Sequence, residues 1–504
     1  MGLRWDVNIN FLNAQLTNDP LTSNRVVNIL RQAIAANPAS PATAAGLARA
    51  QYLAGNVSDL TRKTADWKEF QPRVGFAWDP TGRGNWVVRG GFGIARDQIF
   101  QNLTLWSIQQ SNPTLYQSGL IDLTNNGRPG TCTVSPANPL CTFRFGVDAL
   151  PAAVGAPTDL AFGARGRLTD PNITDPWAEQ FSIGASHQFH PDYAVSVDYY
   201  HVLGFHEFYM LDDNPKLTAC QAAFGGNPND PVNCPNGSGT RLLDPLFVAA
   251  GLGAGRLSQI RTAGSTNRSL FDSVNFVLNK RMTHNFMFRA SYVLSWSRAW
   301  GGQPVASYGG SYHTVTREDQ FLPNNWGPTD NDERHRFVFS GVFNLPYGFE
   351  LAPLFQAASA RPVQPWAATD LNGDGRTDTD RVCAGFTPPY PAAAFTPGCT
   401  MATPNSLRGF PFVQMDLTAA KNFTFGERVR LRLFWEFHNL FNHFNKCNAV
   451  VNDASSASFL QPISGPISGP YCAVDGGTNG VEGGSFGPGF SSPFRSQFGL
   501  RVTF

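Results

Sequence analysis

The stretch FPFVQMDLTAAKNFTFGERVRLRLFWEFHNLF, residues 410–441, decides the fold. In its second half, residues 428–438, apolar and polar side chains alternate, and Phe434 is the one exception. A period of two residues is typical of a β-strand with one apolar and one polar face. Residues 413–422 repeat the pattern before a short turn at Thr424–Glu427. We therefore predict a hairpin of two strands, and a strand of about 9–11 such residues is long enough to cross the hydrocarbon of a membrane.

The composition agrees with a membrane barrel and excludes several other classes. The chain has 504 residues, a net charge of +1 and only 15% charged residues, whereas a soluble domain averages about 25%. The low, balanced charge gives no sign of nucleic-acid binding. No stretch of the sequence approaches the roughly 18 apolar residues of a membrane helix. A closed barrel is the other structure that satisfies the backbone in lipid.

The alternating pattern recurs along the chain and predicts about twelve strands. We place them at residues 3–10, 73–79, 86–96, 177–189, 193–203, 270–281, 285–297, 336–345, 349–360, the two halves of the 410–441 hairpin, and 495–504. The connections alternate between turns of a few residues and loops of dozens of residues, which is typical of an outer-membrane barrel. A soluble β-sandwich has shorter strands at closer spacing, and a β-helix shows a fixed repeat. The predicted fold class is an all-β, antiparallel transmembrane β-barrel with long extracellular loops.

Two further expectations concern the loops and the start of the chain. Residues 24–36 predict a short amphipathic helix in the first long loop. The first strand follows Met1 at once, without a signal peptide. Because a barrel must be exported, we expect residues 1–504 to be a barrel domain that is truncated at its N-terminus, without a plug or signal peptide.

Eight cysteines occur as neighbours in the sequence, each pair within one predicted loop. The pairs are Cys132/Cys141, Cys220/Cys234, Cys383/Cys399 and Cys447/Cys472. None shows the C-x-x-C spacing of a zinc site. We predict disulfides within the loops, formed in an oxidising compartment.

Several segments resemble a known family. They are PRVGFAWDPTGRGNWVVRGGFGIARDQ at 72–98, NDERHRFVFSGVFNLPYGFEL at 331–351, DLNGDGRTDTDR at 370–381, the hairpin at 410–445 that ends in NLFNHFN, and the terminal QFGLRVTF. In this order and spacing the chain resembles the C-terminal barrel portion of a TonB-dependent outer-membrane receptor of the Oar-like type.

The resemblance implies a Gram-negative outer-membrane protein whose full barrel has 22 strands and an N-terminal plug. The twelve strands counted here correspond to the C-terminal half of such a barrel. The resemblance further implies a TonB complex acting through the absent N-terminal part, barrel-assembly machinery recognising Phe504, and surrounding outer-membrane lipid. It implies a receptor or transporter that binds an unidentified ligand in its extracellular loops.

A second motif lies in one of the long loops. Its oxygen-bearing residues and turn glycine match the first nine positions of a calcium-binding loop. The candidate metal site comprises Asp370, Asn372, Asp374, Arg376 and Asp378. Position 12 of such a loop is normally a bidentate glutamate, but here it is Arg381. Two interpretations stay open, a weak calcium site and an Asx-rich turn without metal.

Neither an H-E-x-x-H motif nor a P-loop motif occurs in the sequence. We therefore expect no enzyme activity. Arg428, Arg430 and Arg432 form either an inward basic ladder that attracts anions or a solvated lumen wall. Three functions remain under consideration: a TonB-dependent receptor that takes up a ligand, a surface-binding or adhesion barrel without transport, and a barrel-embedded enzyme such as a lipase or protease. The third would need a serine and a histidine on adjacent strands at one rim.

Overall fold

The computed structural model describes residues 1–8, 25–36, 40–55, 66–98, 160, 162–170, 173–216, 240–301, 315–317, 320–372, 380–426, 429–443, 445, 454, 457, 459 and 494–504. Among these, no helix has the length and apolar character needed to cross a membrane.

Twelve antiparallel strands form one meander, in which each strand pairs with the next in sequence. They are β1 (Gly2–Asn8), β2 (Asp66–Trp78), β3 (Trp86–Arg96), β4 (Trp177–His190), β5 (Tyr193–Asp212), β6 (Leu257–Thr283), β7 (Phe286–Trp300), β8 (His335–Leu345), β9 (Phe349–Ala358), β10 (Phe412–Phe425), β11 (Val429–His438) and β12 (Arg495–Thr503). Strands β1 and β12 are the edges of the sheet in the described residues. The meander and its twelve strands confirm the predicted all-β, antiparallel fold.

Tight turns join the strands at one end of the sheet. Between β6 and β7, His284 and Asn285 have φ angles of 51° and 66°, as a two-residue hairpin turn with the favoured twist requires. In the turn between β2 and β3, hydrogen bonds donated by the backbone N–H groups of Gly84 and Thr81 hold the pKa of the Asp79 carboxyl below its usual value. The strand ends that lead into the long connections lie at the opposite end of the sheet.

The two faces of the sheet differ in chemistry. Large apolar side chains on one face are open to the surroundings; for example, Ile183 is 45% exposed and Trp435 is 49% exposed. The other face has ion pairs and amide hydrogen bonds, including those of Arg89 with Asp198 and of Gln497 with Glu436. An apolar outer face and a polar inner face are expected of a barrel that lies in lipid.

The long-loop end of the sheet has secondary structure of its own. It comprises helices α1 (Arg25–Ala36), α2 (Ala44–Gly55) and α3 (Asp244–Ala249), short strands Ala164–Thr169, Val315–Thr316, Trp326–Pro328, Pro362–Val363 and Leu407–Arg408, and 3₁₀ turns Pro323–Asn325 and Ala392–Phe395. One further 3₁₀ turn, Pro346–Gly348, joins β8 to β9 at the other end. Helix α1 confirms the amphipathic helix predicted near residues 24–36, and it buries Val26, Ile29 and Leu30.

The strand bounds agree with the sequence prediction except at the long-loop end. Strand β3 has the predicted bounds, Trp86–Arg96. Strand β5 continues nine residues past the predicted end, Leu203, to Asp212, and β6 begins at Leu257, thirteen residues before the predicted Leu270. These extensions pair with each other and support the loops.

Candidate functional site

The inner wall has an ion pair that spans three strands. The Arg89 guanidinium on β3 donates two hydrogen bonds, of 2.9 and 2.7 Å, to the Asp198 carboxylate on β5. Gly184 on β4 lies between the two residues in register with both. A Cβ atom at Gly184 would lie only 2.0 Å from Asp198 Oδ1. The glycine therefore leaves the space through which the pair forms.

A second ion pair spans β9, β10 and β11. Arg432 donates to both carboxylate oxygens of Glu350, at 2.7 and 3.1 Å, and the small residue Ala420 lies between their strands. Arg432 is thus one partner of a paired, partly buried charge on the polar inner wall. Arg430 lies on the same face and is exposed, whereas Arg428 is outside the described residues. Of the two interpretations of this ladder, the paired state of Arg432 favours the solvated wall.

A shallow groove of about 370 Å³ lies beside the first ion pair. Its floor is the backbone at Gly91 and Gly93, and its walls include Gln180, Ser182 and Tyr200. These side chains offer hydrogen-bond donors and acceptors next to bare backbone. The groove is therefore suited to polar contacts with a chain or solute in the lumen.

A compact apolar core lies outside the membrane, at the long-loop end. Three helices and two strand segments contribute to it. Its buried members include Val26, Val27, Ile29, Leu30, Leu53, Leu160, Leu168, Leu243, Leu246, Phe247, Leu257 and Ile260. We call the helices and strand segments around this core the cap. Burying each such side chain stabilises the cap by about 1.5–3 kcal/mol relative to exposure. Helix α2 can approach the backbone at Leu242 closely because Gly46 has no side chain. A Cβ atom at Gly46 would lie 2.8 Å from the Leu242 carbonyl oxygen.

Buried charges hold the cap to the strand extensions. Arg317 donates to Asp213 at 2.8 and 3.0 Å and to Asp170 at 2.8 Å. Arg49 of α2 donates to the same Asp213 carboxylate at 2.7 Å, and the Tyr52 hydroxyl donates to Asp170 at 2.9 Å. Burial lowers the pKa of the Arg317 guanidinium, but its hydrogen bonds to Asp213 and its attraction to both carboxylates outweigh burial and raise the pKa above its ordinary value. These five side chains, here called the cap lock, connect four separate segments.

Of the candidate calcium ligands, the structure describes the first two. Asp370 and Asn372 lie at the end of a folded stem, while Asp374, Arg376 and Asp378 lie outside the described residues. The stem is closed by the Leu371 N–H group, which donates to the buried Asp380 carboxylate at 2.6 Å. Among the described residues, no group of three or more histidine, cysteine, aspartate or glutamate side chains is placed to hold a metal ion.

Arg381, at position 12 of the calcium-like motif, is directed into the protein. Its guanidinium donates to the Ala402 carbonyl oxygen at 2.7 Å and to the Asn325 side chain. Burial lowers the pKa of Arg381 to about 10. The guanidinium group of Arg381 therefore binds neighbouring loops and does not point toward the calcium-like motif.

The same loop confirms one of the four predicted disulfides. Cys383 and Cys399 are bonded, with Cα atoms 5.7 Å apart, and they pack on Ala367 and Leu371. The other six cysteines lie outside the described residues.

A model of the family described as outer membrane beta barrel domain matches residues 1–466. The chain belongs to this family. This barrel therefore resides in the Gram-negative outer membrane, with its short turns toward the periplasm and the cap outside the cell. Comparison with curated proteins finds no match.

Solved structures similar to this barrel include several outer-membrane proteins. The outer membrane transporter YddB from Escherichia coli superposes with a TM-score of 0.41 at 8% identity, over 74% of this chain and 37% of that chain. The siderophore receptor PiuA from Acinetobacter baumannii gives 0.34 at 10% identity, over 74% and 32%. The ferric citrate transporter FecA in its unliganded form gives 0.37 at 6% identity, over 86% and 38%. The barrel thus spans less than two fifths of the length of these structures.

The cap lock was not predicted from the sequence. The hydrogen-bonded pairs within it are separated by up to 164 residues, and each member is an ordinary charged or aromatic residue in a long loop. The run Phe208–Leu211, which is apolar at four consecutive positions, is the signal that could have revealed the strand extension beneath it.

Proposed function

We propose that this barrel is the C-terminal part of a TonB-dependent receptor of the Oar-like type, which binds a ligand at its extracellular loops for uptake. The observation that supports this function is the cap, because its apolar core and its cap lock give the long loops a fixed shape. Loops positioned by a rigid scaffold are where binding residues concentrate. The proposed function needs a binding surface and a passage, and no bond-breaking chemistry.

The proposal includes two partners that the resemblance implies. A TonB complex supplies the energy for uptake. Barrel-assembly machinery recognises Phe504, which follows the last residue of β12. Phe504 is 96% exposed. The ligand is named only as a solute of the external medium.

The experiment compares bacteria that have the gene, lack it, or have it restored, and measures by mass spectrometry which solutes each strain removes from its medium. Uptake by a TonB-dependent receptor should require both the gene and an energised inner membrane, so an uncoupler should abolish the difference. A strain with Arg317→Leu, which leaves two buried carboxylates without their shared cation, should take up less. Arg83→Leu, at an exposed turn on the periplasmic side, is the matched control.

The surface-binding or adhesion barrel makes the opposite prediction. The deletion strain would then remove the same solutes at the same rates and would differ in attachment to cells or surfaces. That result would contradict the transport function and leave the barrel fold unaffected.

We also propose that Asp370, Asn372, Asp374 and Asp378, with Arg376 between the last two, form a weak calcium site outside the cell. The support is the folded stem, which fixes both ends of the motif through Asp380 and the neighbouring disulfide. Without the bidentate glutamate, we expect a dissociation constant of about 10⁻⁴–10⁻³ M. Calorimetry with calcium should show heat that Asp374→Ala removes. Equal heats for both proteins would mean that the motif is only a turn.

A further inference from the structure

The outer face of the barrel has a row of four side chains at the long-loop rim. Arg96 on β3, Trp177 on β4, Phe205 on β5 and Arg268 on β6 are direct register partners, one after another. The Trp177 and Phe205 rings stack with centroids 4.4 Å apart. The Arg96 Cζ atom lies 5.9 Å from the Trp177 ring centroid, and the Arg268 Cζ atom lies 6.0 Å from the Phe205 ring centroid. We call these four residues the arginine–aromatic row.

Polar residues on the same face show where the hydrocarbon ends. The Tyr199 hydroxyl donates to Asp272 Oδ1 at 2.6 Å, and His201 Nδ1 lies 2.7 Å from the same oxygen. Because a charged side chain facing the bilayer centre is costly, this cluster lies at the lipid boundary. Phe205 is four residues beyond His201 on β5, which at about 3.3 Å per residue and a tilt near 45° adds about 9 Å of height. The arginine–aromatic row is therefore level with the lipid headgroups.

The two guanidinium groups of the row have no ion-pair partner in the part of the chain that the structure describes. Among the described residues, neither Arg96 nor Arg268 forms an ion pair, and the Arg96 Nε atom is buried without a hydrogen-bond partner. Arg298 on β7, also exposed, lies one register step below the row on the same face. The acidic residues of this part of the face are Glu179, which forms no ion pair with these arginines, and Asp272, which already accepts two hydrogen bonds.

We propose that the arginine–aromatic row binds the phosphate-bearing headgroups of lipids in the outer leaflet. Guanidinium groups present their donors in a planar fork that matches phosphate oxygens. The stacked rings keep both guanidinium groups at the surface of the sheet, and aromatic residues themselves favour the membrane interface. Lipid is the occupant because the row lies on the lipid-facing side of the sheet, at headgroup height, where positive charge and phosphate are complementary.

The experiment uses the full chain in detergent micelles and measures retained lipid by native mass spectrometry. Phosphatidic acid and diacylglycerol are a matched pair of probes, since they differ only in the phosphate. The wild-type chain should retain phosphatidic acid in preference to diacylglycerol. The double variant Arg96→Gln/Arg268→Gln should reduce this preference by roughly fivefold for each arginine removed. This factor is the attraction of one basic residue to an anionic surface, expressed as a ratio of affinities.

Three controls separate the interpretations. Arg83→Gln changes an exposed arginine at the periplasmic turn and should leave the preference unchanged. Arg96→Lys keeps the charge and should keep most of the preference, which shows that the fold is intact. Inorganic phosphate should not displace the bound lipid at physiological concentration. Equal retention of the two lipids, an unchanged preference in the double variant, or displacement by free phosphate would each overturn the proposal.

Discussion

The assignment of the two faces can be tested by placing one arginine on each side of the same strand. Val197 lies on the outer face of β5, 39% exposed, and its neighbour Ser196 lies on the inner face. Val197 is four residues from Tyr193, where β5 begins. At about 3.3 Å per residue and a tilt near 45°, it is about 9 Å inside an apolar band that is about 25 Å tall. Val197 is thus close to the midplane of the bilayer.

Val197→Arg should therefore destabilise the barrel by about 2–4 kcal/mol, the cost of an arginine on the lipid face near the midplane. This corresponds to roughly a 30- to 700-fold change in the unfolding equilibrium constant. Ser196→Arg should cost less than about 1 kcal/mol, because the same side chain then enters the polar lumen. The two substitutions introduce the same side chain one residue apart.

The assay is urea unfolding of each variant in lipid vesicles, followed by tryptophan fluorescence. The slope of the unfolding free energy against urea should be unchanged, so that the midpoints report stability alone. If Ser196→Arg is as destabilising as Val197→Arg, the inner face is not a solvated lumen. If Ser196→Arg is the worse of the two, the faces are reversed.

Three other predictions concern single positions. Burial raises the pKa of Glu207 to about 7, in the part of β5 beyond the membrane. The folded state then retains a proton that the unfolded state releases, so the free energy of unfolding should fall by up to about 3 kcal/mol between pH 4.5, the ordinary pKa of a glutamate, and pH 7. In thermal unfolding at a series of pH values, Glu207→Gln should flatten this fall, and an identical pH profile would contradict the assignment. Gly184→Ala should displace the Asp198 carboxylate and cost about 1–3 kcal/mol in the same urea assay, and no loss would mean that the inner ion pair forms elsewhere. Replacing Cys383 and Cys399 by serine should increase proteolysis of their loop, since a closed loop of about 15 residues contributes roughly 3 kcal/mol, and unchanged cleavage would show that packing alone holds the loop.

The sequence predicts the membrane-spanning strands because lipid imposes one rule on them. Each outward residue meets hydrocarbon and each inward residue meets a polar lumen, so the alternation is visible without knowledge of any neighbour. Trp86–Arg96 is an example, predicted with the bounds that the structure shows. The exception in the opening hairpin, Phe434, also follows from packing. Its ring lies over Gly499 of β12, where a Cβ atom would come within 2.2 Å of it.

The same rule explains why the cap was not predicted. Beyond the membrane, β5 and β6 are covered by loops on both faces, so their alternation disappears. Phe208, Tyr209, Met210 and Leu211 are all buried, and such a run does not distinguish a strand from a helix. Helix α2 (Ala44–Gly55) has alanine-rich helix propensity, but its packing partners come from distant loops. The residues of the candidate site depend on these tertiary contacts, which no local pattern contains.

Several glycines in the strands leave space for a side chain of the neighbouring strand, and these contacts help to fix the register of the sheet. Gly184 makes room for Asp198, Gly499 lies under the Phe434 ring, and a Cβ atom at Gly90 would come within 2.5 Å of the Phe76 ring. Each of these glycines is the direct register partner of the residue that covers it.

A shift of one residue would turn every side chain of the strand to the opposite face. The alternation of apolar and polar side chains determines which face of a strand is turned outward. A shift of the strand by two residues relative to its neighbour satisfies this alternation equally well. The covered glycines exclude that shift, because the space and the side chain that fills it would then be two positions apart. Alternation and glycine placement therefore act together, the first selecting the face and the second selecting the pairing.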